Sequence, residues 1–192
     1  MRILAVDPGT TQSAYCGMGE DYMPIAAAKV ENRKIIELIA LGGYDALVIE
    51  CMEPRTLNVR TGERNAPPQR IGAETYETCY WIGRYMEAAI RRGMDVHRVL
   101  RGEEKSRIIP TKKNRLPPLP QDAPKGPDAR IRAALIQRFA RFDKKNGRGR
   151  ANAKDVFYGF RADMWSAFAV GVVYLDKQKE RAAQKRQVGE EG

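Results

Sequence analysis

The chain has 192 residues, with 34 Lys and Arg against 24 Asp and Glu, for a formal net charge of +10. An apolar fraction of 43% supports one domain with a core, and no run approaches the ~18 consecutive apolar residues of a membrane span. Cys16, Cys51 and Cys79 are odd in number, scattered and out of metal-ligand spacing with the lone His97, so a disulfide framework and a zinc site are excluded and reduced thiols of a cytoplasmic protein are expected. Asp7 and Pro8 interrupt the start of the chain, which does not read as a signal peptide. The clustered basic excess points to a polyanionic partner, nucleic acid before a membrane.

In chain order, Met1 to Val6 is a short apolar run rich in branched residues, the pattern of a buried strand. Pro8 and Gly9 stop it and force a turn, which leaves Asp7 at the strand's end. Two readings of Asp7 stay open here: an acceptor for the amides of its own turn, or a carboxylate presented to a cationic ligand. Ser13 to Met18 and Pro24 to Val30 continue as a meander, and Glu31 to Leu41 has helical spacing and ends at Gly42-Gly43. Asp45 to Glu50 repeats the first pattern, an apolar run that delivers an acid. Strand, helix, strand implies a right-handed crossover and parallel pairing. With neighbours ~4.8 Å apart, level ends bring Asp7 and Glu50 close enough to share a cation.

Residues 51–70 form a long polar loop rich in Arg and Pro. Gln69 to Arg92 reads as a helix with Ile71, Thr75, Thr78, Ile82, Tyr85, Met86 and Ala89 on one face, wide enough to cover the sheet or a dimer partner. Met94 to Leu100 is a strand, and Arg101-Gly102-Glu103-Glu104-Lys105 opens a short helix. Lys112 to Pro127 is basic and Pro-rich, a surface loop or arm. Pro127 starts a helix over Asp128 to Phe142. Lys144 to Arg150 reads as a mobile basic segment, and a final helix is expected from about Phe160 to Arg186, with Asp163 on its buried stripe one turn in, where the helix dipole favours it. The domain is expected over residues 1–176, with basic loop insertions at about 53–68 and 110–127, and a charged tail from 177 to 192 that frays.

Asp7, Glu50 and Asp163 thus converge, and none has an ion-pair partner inside its own element. Clustered carboxylates repel and take up protons unless cations bind. Hard oxygen ligands without His or Cys select Mg²⁺, with Mn²⁺ as a substitute, and two such ions ~4 Å apart support phosphodiester hydrolysis. On a basic chain this is nuclease chemistry; the alternative is three separately capped structural acids.

Several short motifs carry a resemblance. Ile3-Leu4-Ala5-Val6-Asp7-Pro8-Gly9 resembles the start of the RuvC-type Holliday junction resolvases, and Leu47-Val48-Ile49-Glu50 is similar to that family's second acidic strand. Gln69-Arg70-Ile71-Gly72, Val96-His97-Arg98-Val99 and Arg161-Ala162-Asp163-Met164-Trp165-Ser166-Ala167 resemble the family's following helix, fifth strand and last acidic helix start. The resemblance spans residues 1 to about 175, and the basic insertions look like those of a bacteriophage-type relative. It implies an α/β, RNase H-like fold: a mixed five-stranded sheet flanked by helices. It also implies a homodimer that nicks branched DNA, the four-way junction above all, with two Mg²⁺ ions held by Asp7, Glu50 and Asp163. The chain departs from the pattern twice. Where the family has an acid or histidine three residues before its last acid stands Phe160, which leaves Asp155 as the nearest upstream candidate for a fourth metal ligand. Where the family often places a wedging aromatic stands Glu53.

Candidate phosphate contacts are Lys105, Arg107, Lys112, Lys113 and Arg115, with Arg55, Arg60 and Arg64 in the loop after Glu50. Three rival readings remain: a less selective structure-specific DNA or RNA nuclease, a DNA-binding protein with structural acids, and an actin-like or sugar-kinase-type nucleotide binder, whose first phosphate loop Asp7 to Ser13 also resembles.

Overall fold

The computed structural model describes residues 1–52, 72–114 and 116–190, with side chains to residue 187. Strands β1 (Arg2–Asp7), β2 (Gln12–Gly19) and β3 (Pro24–Glu31) form the expected antiparallel meander. Helix α1 (Asn32–Leu41) crosses over to β4 (Ala46–Cys51), which pairs parallel to β1. Helix α2 (Ala73–Arg91) leads to β5 (Asp95–Leu100), parallel to β4. The five-stranded sheet has the order β3-β2-β1-β4-β5, so β1 is central. Helix α3 (Arg101–Ile108) follows β5 at once, then α4 (Pro127–Phe139), a small hairpin of β6 (Gly149–Arg150) and β7 (Ala153–Lys154), and α5 (Met164–Glu190). Among the described residues no helix is long and apolar enough to cross a membrane.

Alternation along the central strands divides the core into two layers. Leu4, Val6, Leu47 and Ile49 face α1 and α2, where Ile35, Ile39, Ile82, Tyr85 and Ala89 cover them. Ile3, Ala5 and Val48 face the opposite way, onto Ala167, Val170, Gly171 and Tyr174 of α5. A side chain at Gly171 would run into Met18 and touch Ala5 and Ile3, so glycine lets α5 lie directly on the sheet. Residues 167 to 175 of α5 are all buried, consistent with a helix that is apolar on most of its circumference.

Several boundaries differ from the sequence expectation. Helix α4 ends at Phe139, not Phe142, because Ala140 is extended and the Lys144 ammonium caps the Ala140 carbonyl. Helix α5 begins at Met164 rather than near Phe160. Phe157 and Phe160 instead close a turn and stack with Trp165 and Phe168. The basic segment 144–150 is held in place: Asp143 accepts the amides of Asn146, Arg148 and Gly149. At Gly149 (φ 68°) a Cβ would strike the Ala153 carbonyl, so the hairpin requires glycine. The Pro-rich loop is tied down by Asn114, which donates to the carbonyls of Ser106 and Ile109, at 3.0 and 2.7 Å. Helix α5 continues to Glu190, and its Lys177 and Glu180 pair with Glu103 and Arg107 of α3.

Candidate active site

The site grows out of the end of the parallel pair. Val6 pairs with Ile49, so the next step along both strands sets Asp7 beside Glu50. Asp7 shares the parity of Ile3 and Ala5, and Glu50 that of Val48, so both carboxylates leave the sheet on its α5 face. The turn after Asp7 is held from elsewhere. Gly9 N–H donates to Ser13 Oγ at 3.2 Å, and Asn32 Nδ2 donates to the Gly9 and Thr10 carbonyls at 3.0 Å. Ser13 Oγ in turn donates to Asn32 Oδ1 at 2.7 Å and meets the Tyr85 hydroxyl at 3.0 Å. This network takes the role that the structural reading assigned to Asp7 and leaves its carboxylate to the cleft.

A cleft of about 640 Å³ opens above these strand ends. Asp7, Glu50 and Asp163 all line it, so the three sequence-predicted acids share one wall-bounded space. Asp163 arrives differently from expectation. It immediately precedes α5 rather than lying one turn inside, its side chain is half-exposed, and Lys29 Nζ of β3 donates to its Oδ2 at 2.6 Å. Such an exposed pair contributes ~0–1 kcal/mol, so exchange of Lys29 for another cation costs little.

Burial, then the neighbouring Glu50 charge and a hydrogen bond to it, and then Asp163 push the Asp7 carboxyl up to about 8, against the pull of Arg101. Arg101 approaches Glu50 Oε1 and Asp128 Oδ1 at 3.9 Å each. Asp7 and Glu50 thus repel each other at the strand ends, with Arg101 only 3.9 Å from Glu50. As they stand, no three His, Cys, Asp or Glu side chains among the described residues converge tightly enough to enclose an ion; the Lys29 pair draws Asp163 aside.

Asp155 does not join the cleft. Its carboxylate accepts the amides of Arg141, Phe142, Asp143 and Val156 at 2.8–3.0 Å. Burial alone would raise its pKa, but these four donors hold it at about 2. It ties the α4–β6 segment together, and every lone-pair direction is in use. Asp155→Ala is expected to cost about 3 kcal/mol, since amide bonds to a charged acceptor contribute ~1.5–3 kcal/mol each and the chain relaxes partly. Because the folded pKa is depressed, the contribution is present above about pH 4 and lost as pH falls toward 2. Urea denaturation at pH 7 and at pH 3 checks both; an unchanged midpoint at pH 7 would contradict the role.

Of the predicted phosphate contacts, Lys105 lines the cleft. Arg107 is committed to both oxygens of Glu180 at 3.0 Å. Lys112 and Lys113 are exposed on the pinned loop. Arg55, Arg60, Arg64 and Arg115, like the insertion 53–68 and Glu53, lie outside the described residues. Phe160, at the place where a further acid was sought, belongs to the aromatic core and is 4% exposed. Sequence reasoning passed over Lys29, Arg101 and Glu104. The available signal for the last two was positional: Val99 of β5 pairs with Glu50, so the helix that opens at Arg101 starts beside the second acid.

No protein-family model matches the chain, and no curated protein matches it. Among solved structures it is similar to Thermus thermophilus RuvC, at a TM-score of 0.55 and 13% identity over 94% of this chain and 97% of that one. It is likewise similar to T. thermophilus RuvC in complex with a Holliday junction substrate, at 0.55 and 11% identity over 90% and 91%. The chain has a RuvC-like α/β fold, a mixed five-stranded sheet flanked by helices.

Proposed function

We propose that the protein is a divalent-metal-dependent endonuclease that resolves four-way DNA junctions by paired phosphodiester hydrolysis. One observation carries the reading: Asp7, Glu50 and Asp163 reach one cleft from two parallel strand ends and a helix start, on a basic chain with a RuvC-like fold. The similar T. thermophilus chain in complex with a Holliday junction supports branched DNA as the substrate class.

The donor set fits hard divalent ions. All three groups offer oxygen, and burial followed by the Glu50 and Asp163 charges disfavours the ionised Asp7 carboxylate in the absence of a cation. When bound, two Mg²⁺ or Mn²⁺ ions supply Lewis acidity toward the phosphodiester and acidify a water. Asp7 and Glu50, fixed by the strand register, would hold the ions, and Asp163, whose pair with Lys29 is exposed, would complete the set. Arg101, Lys105, Arg132 and Lys145 around the same cleft attract the DNA backbone, a sequence-independent and salt-dependent contribution. A homodimer would set two such clefts on one junction; Tyr76 and Tyr80, 64% and 56% exposed on α2, offer an apolar surface for it.

The test is cleavage of a synthetic four-way junction beside linear and flapped duplexes, with Mg²⁺ or EDTA. Paired, Mg²⁺-dependent nicks in the junction are expected. Equal rates on all three substrates would replace the resolvase reading by a general structure-specific nuclease. Absence of any cleavage, with nucleotide-dependent thermal stabilisation, would replace it by a nucleotide-binding protein.

A further inference from the structure

Glu103 and Glu104 are adjacent on α3 and have opposite fates. Glu103 is spent on structure: its Oε2 accepts the Leu100 amide at 3.0 Å and its Oε1 pairs with Lys177 at 2.8 Å. Glu104 lies about 100° further round the helix, is 4% exposed, and lines the same cleft as Asp7, Glu50 and Asp163. Its Oε1 is buried without a hydrogen-bond partner among the described residues. It forms no ion pair there either, since Arg101, at the start of the same helix, reaches Glu50 and Asp128 instead.

A buried polar atom without a partner costs ~1–3 kcal/mol, more if charged, and native structures seldom leave one without a reason. A packing role would leave this position to an apolar side chain, and an anchoring role would give the oxygen a donor. Neither describes Glu104. A carboxylate among three others is satisfied by a shared proton or by a cation, and hard oxygen donors in this number suit a divalent one.

We propose that Glu104 is a fourth metal-facing carboxylate of the cleft, presented by α3. This rests on the metal-dependent nuclease reading above. It makes the ligand set one that α3 closes, with the adjacent Lys105 at the cleft rim. Four carboxylates would then face the ions, two at strand ends, one just before α5 and one on α3, and α3 would couple metal binding to the DNA-facing surface.

The test is Mn²⁺ titration of the full chain followed by electron paramagnetic resonance, for the unmodified protein, Glu104→Gln and Asp7→Asn, without DNA. The unmodified protein is expected to bind two Mn²⁺, and Glu104→Gln to weaken at least one by about tenfold or more, with Glu104→Asp intermediate. A folded Glu104→Gln that binds Mn²⁺ like the unmodified protein overturns the assignment and leaves the nuclease reading standing. An unmodified protein that binds no Mn²⁺ overturns that reading and the assignment with it. Anomalous density from Mn²⁺-soaked crystals of the unmodified protein reads the same point without a variant: a peak at coordination distance from a Glu104 oxygen supports it, and peaks on Asp7 and Glu50 alone overturn it.

Discussion

Asp7→Asn is expected to lower Mg²⁺-dependent junction cleavage by about a thousandfold or more while junction binding persists. Loss of one ligand charge at the hub of the site forfeits ~4 kcal/mol of transition-state stabilisation, and ~1.4 kcal/mol corresponds to a factor of ten. Asparagine is nearly isosteric, and the Ser13–Asn32–Tyr85 network holds the turn without help from Asp7, so the fold should be kept. Single-turnover cleavage and gel-shift titration of the same junction separate the two effects. Cleavage at the unmodified rate by a variant that still binds would sink the metal-site model. Removal of a repelling charge should also make the metal-free variant more stable than the unmodified protein above neutral pH.

Metal-free protein is expected to lose stability steadily between about pH 4 and pH 9, and saturating Mg²⁺ to flatten the loss. Burial and the Glu50 charge raise Asp7 to about 8; burial, then Glu50 and Asp7, raise Glu104 to about 9. In the unfolded chain both carboxyls ionise near pH 4. Over the window between, the folded state holds more protons than the unfolded one, so stability falls as pH rises, by at most ~1.4 kcal/mol per pH unit for each group. A divalent ion in the cleft favours the ionised carboxylates and removes the penalty, and binding adds ~2.7 kcal/mol at a hundredfold excess over Kd. Thermal melts at pH 5, 7 and 9, in EDTA and in Mg²⁺, read this directly. A metal-free melting temperature that stays flat or rises across the window contradicts the electrostatic description of the cleft. The acid-side loss from Asp155 lies below pH 4 and is separable.

The cleft places exposed cations beside buried carboxylates. Arg101 compensates Glu50 and Asp128 only at 3.9 Å, and Lys29 serves Asp163 at an exposed position. On the proposed reading, the exposed Arg101 and Lys105 would meet phosphates, and Asp7 with the buried Glu50 and Glu104 would meet metal ions.

Periodicity along the chain sufficed for most of the scaffold. The apolar runs ending in Asp7 and Glu50, the helical spacing of Ile35 and Ile39, and the crossover between them determined the central parallel pair and its level ends. Local pattern carries that information because strand parity and crossover handedness are short-range consequences of backbone sterics. What local pattern does not carry is which acid finds a partner across space. Asp155 looks like a spare carboxylate in the sequence, yet three amides of the segment after α4 and that of its own neighbour Val156 claim it. Asp163 looks buried on a helix stripe, yet the aromatic turn of Phe157 and Phe160 delays the helix and leaves it facing Lys29. Glu104 looks like one of two surface glutamates, and only the tertiary packing of α3 buries it in the cleft with Oε1 unpartnered among the described residues. Satisfaction of a polar group depends on neighbours far apart in the chain, so tertiary structure alone could decide these three. It also sharpened Asp7: with the Gly9 amide taken by Ser13 and the turn carbonyls by Asn32, its carboxylate faces the cleft.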